Sequence, residues 1–377
     1  MLPTRLAAAL AVLAGAAAFS PQAMAAGTDG SSPLKAAADA YRSAYPELSA
    51  AQAATAAAEQ PARKALYASV PLSQYGGAWY DAPSDTVHIN TTTQTAADAA
   101  EARARELDVH VVTRVVSRTF ADLQRQADTQ RASNENVGID VKTNRVVTAA
   151  PNSAVVEDAC TARNQCDTSV RAGIRVWRGT QGVNICSVGF TGRDYSTNYR
   201  WMILAGHCSN GALVTWGTWN GTIGPMIASL NSGAVDAAAV LINDPAYSGQ
   251  AGGQIYRDAA YGGTVRVDAA ADLLTDMTVG DTVCLSANTT ELNGPNYCGV
   301  LGSISDPAVR GMARIDGMDA CGGDSGGGWY GLSGSTRTAY GIHSRSNSTC
   351  HAAGGDSWFT PWASVKSSLV PGVDIET

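Results

Sequence analysis

The chain has 377 residues, with 26 Lys and Arg against 33 Asp and Glu, a formal charge of -7 and no basic block, which speaks against nucleic acid as a partner. That length gives room for two ordinary domains and a targeting segment. Its 45% hydrophobic content suffices for packed cores, and 39 glycines against 4 phenylalanines describe a turn-rich, small-residue fold of mainly β type.

The chain opens on Arg5, an apolar run from Leu6 to Phe19, and the small-residue triplet Ala23-Met24-Ala25. This is the layout of a signal peptide over residues 1–25, and it predicts a secreted, extracellular product. The apolar run is too short to cross a bilayer core, and no other stretch is long enough, so no membrane association is expected. Residues 26–159 are rich in Ala, Gln, Arg and Glu and hold no cysteine. Spacing predicts helices over Ala96–Leu107 and Phe120 to about Arg131, with a β-branched strand at Val109–Val116 between them. Two hairpins flank this set, one turning at Ala82-Pro83-Ser84-Asp85 and the other at Lys142-Thr143-Asn144. The whole reads as a small α+β domain without a catalytic constellation.

From residue 160 the chain is punctuated by glycine and enriched in Thr, Ser and Val. Predicted strands lie at Val183–Phe190, Arg200–Leu204, Ala234–Ile242, Thr282–Leu285 and Thr338–His343, and only Pro361–Leu369 looks helical. All eight cysteines fall between Cys160 and Cys350. An even number confined to one region of an exported chain points to disulfides. Zinc fits poorly, because no Cys-x-x-Cys pair exists and the five histidines are scattered.

Three segments carry chemistry: Leu204-Ala205-Gly206-His207-Cys208, Gly233-Ala234-Val235-Asp236 and Asp319-Ala320-Cys321-Gly322-Gly323-Asp324-Ser325-Gly326-Gly327. A serine hydroxyl attacks only when a base takes its proton, and histidine is the natural base near neutral pH. A buried carboxylate fixes the tautomer of that histidine and stabilises its charged form. Glycines around Ser325 let the N–H groups of Gly323 and Ser325 converge where a tetrahedral oxyanion would form. His343 and His351 are alternative bases on residue type alone.

The order His207, Asp236, Ser325 and the local wording resemble the bacterial branch of the chymotrypsin family, the streptogrisin and α-lytic endopeptidases. Cys186-Ser187-Val188-Gly189-Phe190 followed by Ala205-Gly206-His207-Cys208 matches the opening of that branch, and the resemblance covers essentially residues 170–370. It implies an all-β catalytic domain over 160–377 made of two antiparallel six-stranded β-barrels with a C-terminal helix. The triad would be His207, Asp236 and Ser325, the oxyanion hole Gly323 and Ser325, and the disulfides Cys186–Cys208, Cys284–Cys298 and Cys321–Cys350. Cys160 and Cys166 are left to pair with each other. Gly76-Gly77-Ala78-Trp79-Tyr80-Asp81 and the segment from Gly138 to Val147 are similar to the pro-domains of α-lytic-type proteases, which implies that residues 26–159 assist folding, inhibit the enzyme and are then removed.

Six residues before Ser325 stands Asp319, the offset at which trypsin-like relatives carry the pocket aspartate that attracts a substrate Arg or Lys. The expectation is therefore a secreted serine endopeptidase, made as a precursor and cleaving after basic residues. Ser344-Arg345-Ser346 would pair with the substrate backbone. Ser346, where trypsin-like enzymes tend to have glycine, would narrow the pocket mouth, while Asp356 near the expected pocket wall would either reinforce a basic preference or reshape the slot; a non-basic preference is the alternative. Leu285 stands where bacterial relatives have an arginine facing the aspartate equivalent to Asp324. A new amino terminus at Ala172, or Arg310 or Arg314, could serve that aspartate instead. Protein or peptide substrates and the chain's own pro-domain are the expected partners of a monomer, with no metal and no organic cofactor required. An α/β-hydrolase esterase would place its histidine last, and a non-catalytic homologue acting as a binding protein would have lost a triad member.

Overall fold

Glycine, Asn and Asp turns break the chain after Val170 into short strands, and these close into two barrels. The structure, a computed structural model, describes residues 33–148 apart from 132–136, residues 156–157, and residues 170–377 apart from 180–184, 210–213, 219–220, 245–246, 248–251, 257–264, 290–296, 334–335, 348–349 and 351–353. The predicted signal peptide and the Cys160–Cys166 pair lie outside the described residues.

In the first barrel the segment Ile185–Asp194 bends midway. Its first half, Ile185–Ser187, pairs with Arg175–Arg178, and its second half, Phe190–Asp194, pairs with Tyr199–Leu204. The ring runs on through Val235–Leu241, Gly221–Ser232 and Thr215–Thr218 back to Arg175–Arg178. Val373–Ile375 adds to the outer edge of Phe190–Asp194. The second barrel runs Thr336–Ser346, Gly328–Ser333, Thr282–Ser286, Cys298–Asp306, Met312–Asp316 and Asp356–Pro361, and the last strand pairs again with the first. Each ring is antiparallel and has six strands, counting Ile185–Asp194 as one, and a helix at Trp362–Ser368 follows, as the resemblance implied. Several of these strands are buried on both faces: Val283 and Leu285 pack in one apolar cluster, and Met202, Ile203, Leu204, Ala238, Ala239 and Val240 in the other.

The N-terminal part contains the two predicted hairpins, Tyr75–Asp81 with Thr86–Thr91 and Val137–Asp140 with Arg145–Thr148. Helices at Gln94–Glu106 and Phe120–Arg131 flank a strand at Val111–Val115, which joins Thr86–Thr91 in parallel. Two further helices precede these elements, Pro33–Ala44 and Ala50–Ala68, the second started by a capping box between Ser49 and Gln52. They dock on the second barrel. Tyr41 donates its hydroxyl to the Gly280 carbonyl at 2.6 Å, and Ser43 donates to the Gly317 carbonyl. Tyr41, Leu66 and Tyr80 belong to the same apolar cluster as Val283, Trp329 and Phe359. Burying apolar area at about 25 cal/mol per Å² makes such a shared cluster a main source of cohesion between the two parts.

Candidate active site

His207 lies on the short 3₁₀ turn Gly206–Ser209 that ends the strand Tyr199–Leu204. Asp236 is the second residue of Val235–Leu241 and is fully buried. The adjacency of these two strands in the first barrel brings the side chains together. His207 Nδ1 is 2.6 Å from Asp236 Oδ2, and the His207 backbone N–H donates to Asp236 Oδ1 at 2.8 Å. Ser344, from the second barrel, donates its hydroxyl to Asp236 Oδ2 at 2.6 Å. The Asp236 backbone N–H is held by Thr360 Oγ1 at 2.8 Å. Burial pushes the Asp236 carboxyl up, but the nearby His207 and the hydrogen bonds from His207 and Ser344 outweigh it and hold the group below the ordinary carboxylate range. An ionised carboxylate so held fixes the proton on His207 Nδ1 and leaves Nε2 as the basic nitrogen.

Ser325 is fully buried in the turn between Cys321 and the strand Gly328–Ser333. Its carbonyl accepts the Ser187 N–H at 2.8 Å and lies 3.9 Å from Cys208 Sγ, next in sequence to His207. The Cys186–Cys208 disulfide ties both neighbours together. Gly323 has φ +96°, a conformation that side-chain-bearing residues rarely adopt, and it bends the loop ahead of Ser325. Disulfides Cys284–Cys298 and Cys321–Cys350 complete the three pairs that the resemblance implied.

Beside this site, the segment Met318–Cys321 faces the strands Thr336–Ser346 and Asp356–Pro361. Asp319 is 4% exposed, and a Cβ on Gly355 would fall 1.8 Å from its Oδ1, so only glycine leaves the carboxylate its room. Ser346 donates its hydroxyl to the Ala320 carbonyl at 3.2 Å. Ser357 Oγ accepts the Ala320 N–H at 3.1 Å and donates to the Met318 carbonyl at 2.9 Å. Asp356 is raised to about 6 by burial first and then by Asp316, with smaller contributions from Asp306 and Asp319, while Arg314 works against that rise.

Asp324 is fully buried and accepts N–H groups of Cys321 at 2.8 Å and of Thr289 at 2.7 Å, together with the Thr289 hydroxyl. Leu285 packs in the second barrel's apolar cluster. Arg310 donates to Asn231, and Arg314 to Asp306 and Asp316. Ala172 is buried, with its N–H on the Gln254 carbonyl at 2.9 Å. Of the alternative bases, His343 is buried in the second barrel, where its Nδ1 accepts the Trp329 indole N–H at 3.3 Å, and His351 lies outside the described residues. Sequence reasoning singled out neither Thr360, Ser357, Thr289 nor the hydroxyl of Ser187. Ser187 sits inside the Cys186–Phe190 motif but its hydroxyl has no role legible there, and no local pattern marks Thr360, Ser357 or Thr289.

No protein-family model matches the chain, and no curated protein matches it. Among solved structures it is similar to a glutamic-acid-specific serine protease described as using a histidine triad in substrate binding, with 24% identity over 55% of this chain and 100% of that one and a TM-score of 0.40. It is also similar to an α-lytic protease homologue, N4, with 22% identity over 54% of this chain and 98% of that one and a TM-score of 0.38. A third is the protease Anisep from Arthrobacter nicotinovorans, with 17% identity over 58% of this chain and 99% of that one and a TM-score of 0.33.

Proposed function

We propose that this chain is a secreted serine endopeptidase made as a precursor, in which Ser325 attacks the peptide carbonyl, His207 takes and returns the proton, and Asp236 orients His207. The observation that carries this reading is the buried Asp236 carboxylate, held by Ser344 and bonded to His207 Nδ1. His207 Nε2 takes the Ser325 proton as the C–O bond forms, and the N–H groups of Gly323 and Ser325 stabilise the oxyanion. Collapse of that intermediate releases the amine, protonated by His207, and leaves an acyl group on Ser325. Water then attacks with His207 again as base.

Asp319 supports cleavage after Arg or Lys, since a buried carboxylate is best satisfied by a substrate cation. The second reading, a non-basic preference, draws on the Ser346 hydroxymethyl, which occupies the strand expected to line the pocket mouth. Residues 26–159 act as a pro-domain. In support, Val156–Glu157 pairs antiparallel with Arg345–Ser346, so the chain's own backbone takes the strand position that a substrate would need.

The test is turnover of chromogenic peptides differing at P1, by secreted wild type beside Ser325→Ala. Cleavage after Arg or Lys that vanishes in the variant supports triad and pocket together. Cleavage after Phe, Leu or Glu keeps the triad and rejects the basic pocket. Equal activity in both proteins rejects the mechanism.

A further inference from the structure

The loop that carries Gly323 is held by two segments, the strand end at Ser187 in the first barrel and Asn288–Thr289 after the strand Thr282–Ser286 in the second. Ser187 donates its hydroxyl to the Gly323 carbonyl at 2.8 Å and accepts the Asn288 N–H at 2.8 Å. One residue on, Thr289 gives both its N–H and its hydroxyl to Asp324 Oδ1. The Ser187 N–H donates to the Ser325 carbonyl. Gly323, Asp324 and Ser325 are therefore each gripped from the segments Ser187 and Asn288–Thr289. Ser187, Asn288, Asp324 and Ser325 are all fully buried.

We propose that Thr289 is a positioning residue for the oxyanion site, acting through Asp324 and Gly322, with Ser187 as the second grip on the same loop. The proposal rests on the endopeptidase reading above. Its physical basis is the cost of a buried carboxylate, which is relieved in proportion to the donors aimed at it. Hydrogen bonds to an ionised acceptor are roughly twice as strong as neutral ones. Thr289 supplies two of them on a single oxygen, at the point where bacterial relatives are expected to use an arginine and this chain has Leu285. The Thr289 hydroxyl, besides its bond to Asp324, lies 3.5 Å from the Gly322 carbonyl, which shares a peptide plane with the Gly323 N–H, and Ser187 fixes the Gly323 carbonyl that follows. Held in front and behind, Gly323 keeps its N–H aimed at the oxyanion. Loss of an oxyanion donor lowers turnover by about 10²–10³, and a donor that is merely less well aimed lowers it by part of that.

The experiment compares wild type with Thr289→Val, Thr289→Ser and Ser187→Ala on the p-nitroanilide that the P1 panel selects. A peptide aldehyde and the matching carboxylate product are measured beside it as inhibitors. Thr289→Val is expected to lower kcat about tenfold with KM within about twofold, because binding of the ground state does not use the oxyanion donors. Affinity for the aldehyde, whose adduct carries the oxyanion, falls in step with kcat, and affinity for the product peptide does not. Thr289→Ser, which keeps the hydroxyl, stays within about twofold of wild type. Ser187→Ala shows the same split as Thr289→Val, and it decides the matter if Thr289→Val does not fold. The proposal is overturned if kcat is unchanged, or if aldehyde and product affinities fall together as they would for a merely loosened fold. A wild type inactive across the panel ends the endopeptidase reading and this one with it. An active wild type matched by Thr289→Val ends this one alone.

Discussion

The backbone N–H of Thr282 ends on Gln60 Oε1 at 3.2 Å, although the two residues are 222 positions apart. On its other side the Gln60 carboxamide donates to the Leu332 carbonyl at 2.6 Å. Val283 and Gly331 form the last pair of the ladder between these strands. The side-chain amide of a helix in the N-terminal part thus stands in for a peptide group, between two strand ends of the second barrel. Replacing it with leucine would leave a buried N–H and a buried carbonyl unsatisfied, at about 1–3 kcal/mol each. The Gln60→Leu variant in a Ser325→Ala background is therefore expected to unfold at lower urea concentration, by about 2–6 kcal/mol in total. An unchanged midpoint would mean that water serves both groups equally well.

What could be read from the sequence was what repeats locally. The strands at Tyr199–Leu204, Val235–Leu241 and Thr282–Ser286 were legible because β-branched and apolar residues cluster between turn residues. The strand Gly221–Ser232 was not, since Gly224 and Pro225 interrupt its alternation and its inner face is set by pairing with Val235–Leu241. The helix at Ala50–Ala68 is so rich in alanine that it shows no strong apolar stripe, and it contains Pro61. At the site, His207, Asp236 and Ser325 stood out through their neighbours. Thr360, which holds Asp236 from 124 residues away, is visible only once the barrels bring the two strands together.

Acidity should leave a signature of its own. Asp356 is raised to about 6 by burial and by Asp316, above the usual carboxylate value near 3.9. A folded-state pKa above the unfolded one means that the folded protein holds the proton more tightly. The Asp356 contribution is therefore most favourable below about pH 4 and declines as pH rises through about 6. Because the group is only half-buried, solvent screening reduces the effect to about 1 kcal/mol. Urea unfolding of the Ser325→Ala precursor between pH 4 and 7 should show Asp356→Asn gaining relative to its parent as pH rises. Parallel profiles would reject this account.

Maturation is expected to cut after the strand Val156–Glu157, which pairs with Arg345–Ser346, and upstream of Ala172. Ala172 is buried with its N–H already bonded to the Gln254 carbonyl, and an amino terminus there that swung to Asp324 would have to give up that bond. Amino-terminal sequencing of the secreted protein checks this directly. A start at Ala172 would revive the new-terminus account of Asp324 and would remove Cys160 and Cys166 from the mature chain.

Gly355 and Asp319 allow the pocket to be tested without touching the triad. A methyl group at residue 355 would sit 1.8 Å from Asp319 Oδ1, so Gly355→Ala must displace a short carboxylate side chain with little freedom to move. If Asp319 binds the substrate cation, Gly355→Ala and Asp319→Asn should each lower kcat/KM for Arg and Lys substrates by about 10²-fold, since a buried charge pair is worth several kcal/mol when one partner is lost. Turnover of a small neutral P1 residue should change by less than about threefold, because Ser325, His207 and Asp236 keep their contacts. The ratio of the two activities is the quantity to measure. A ratio equal to wild type in both variants would show that Asp319 only supports the pocket wall, and selectivity would then have to come from the Ser346 side of the cleft.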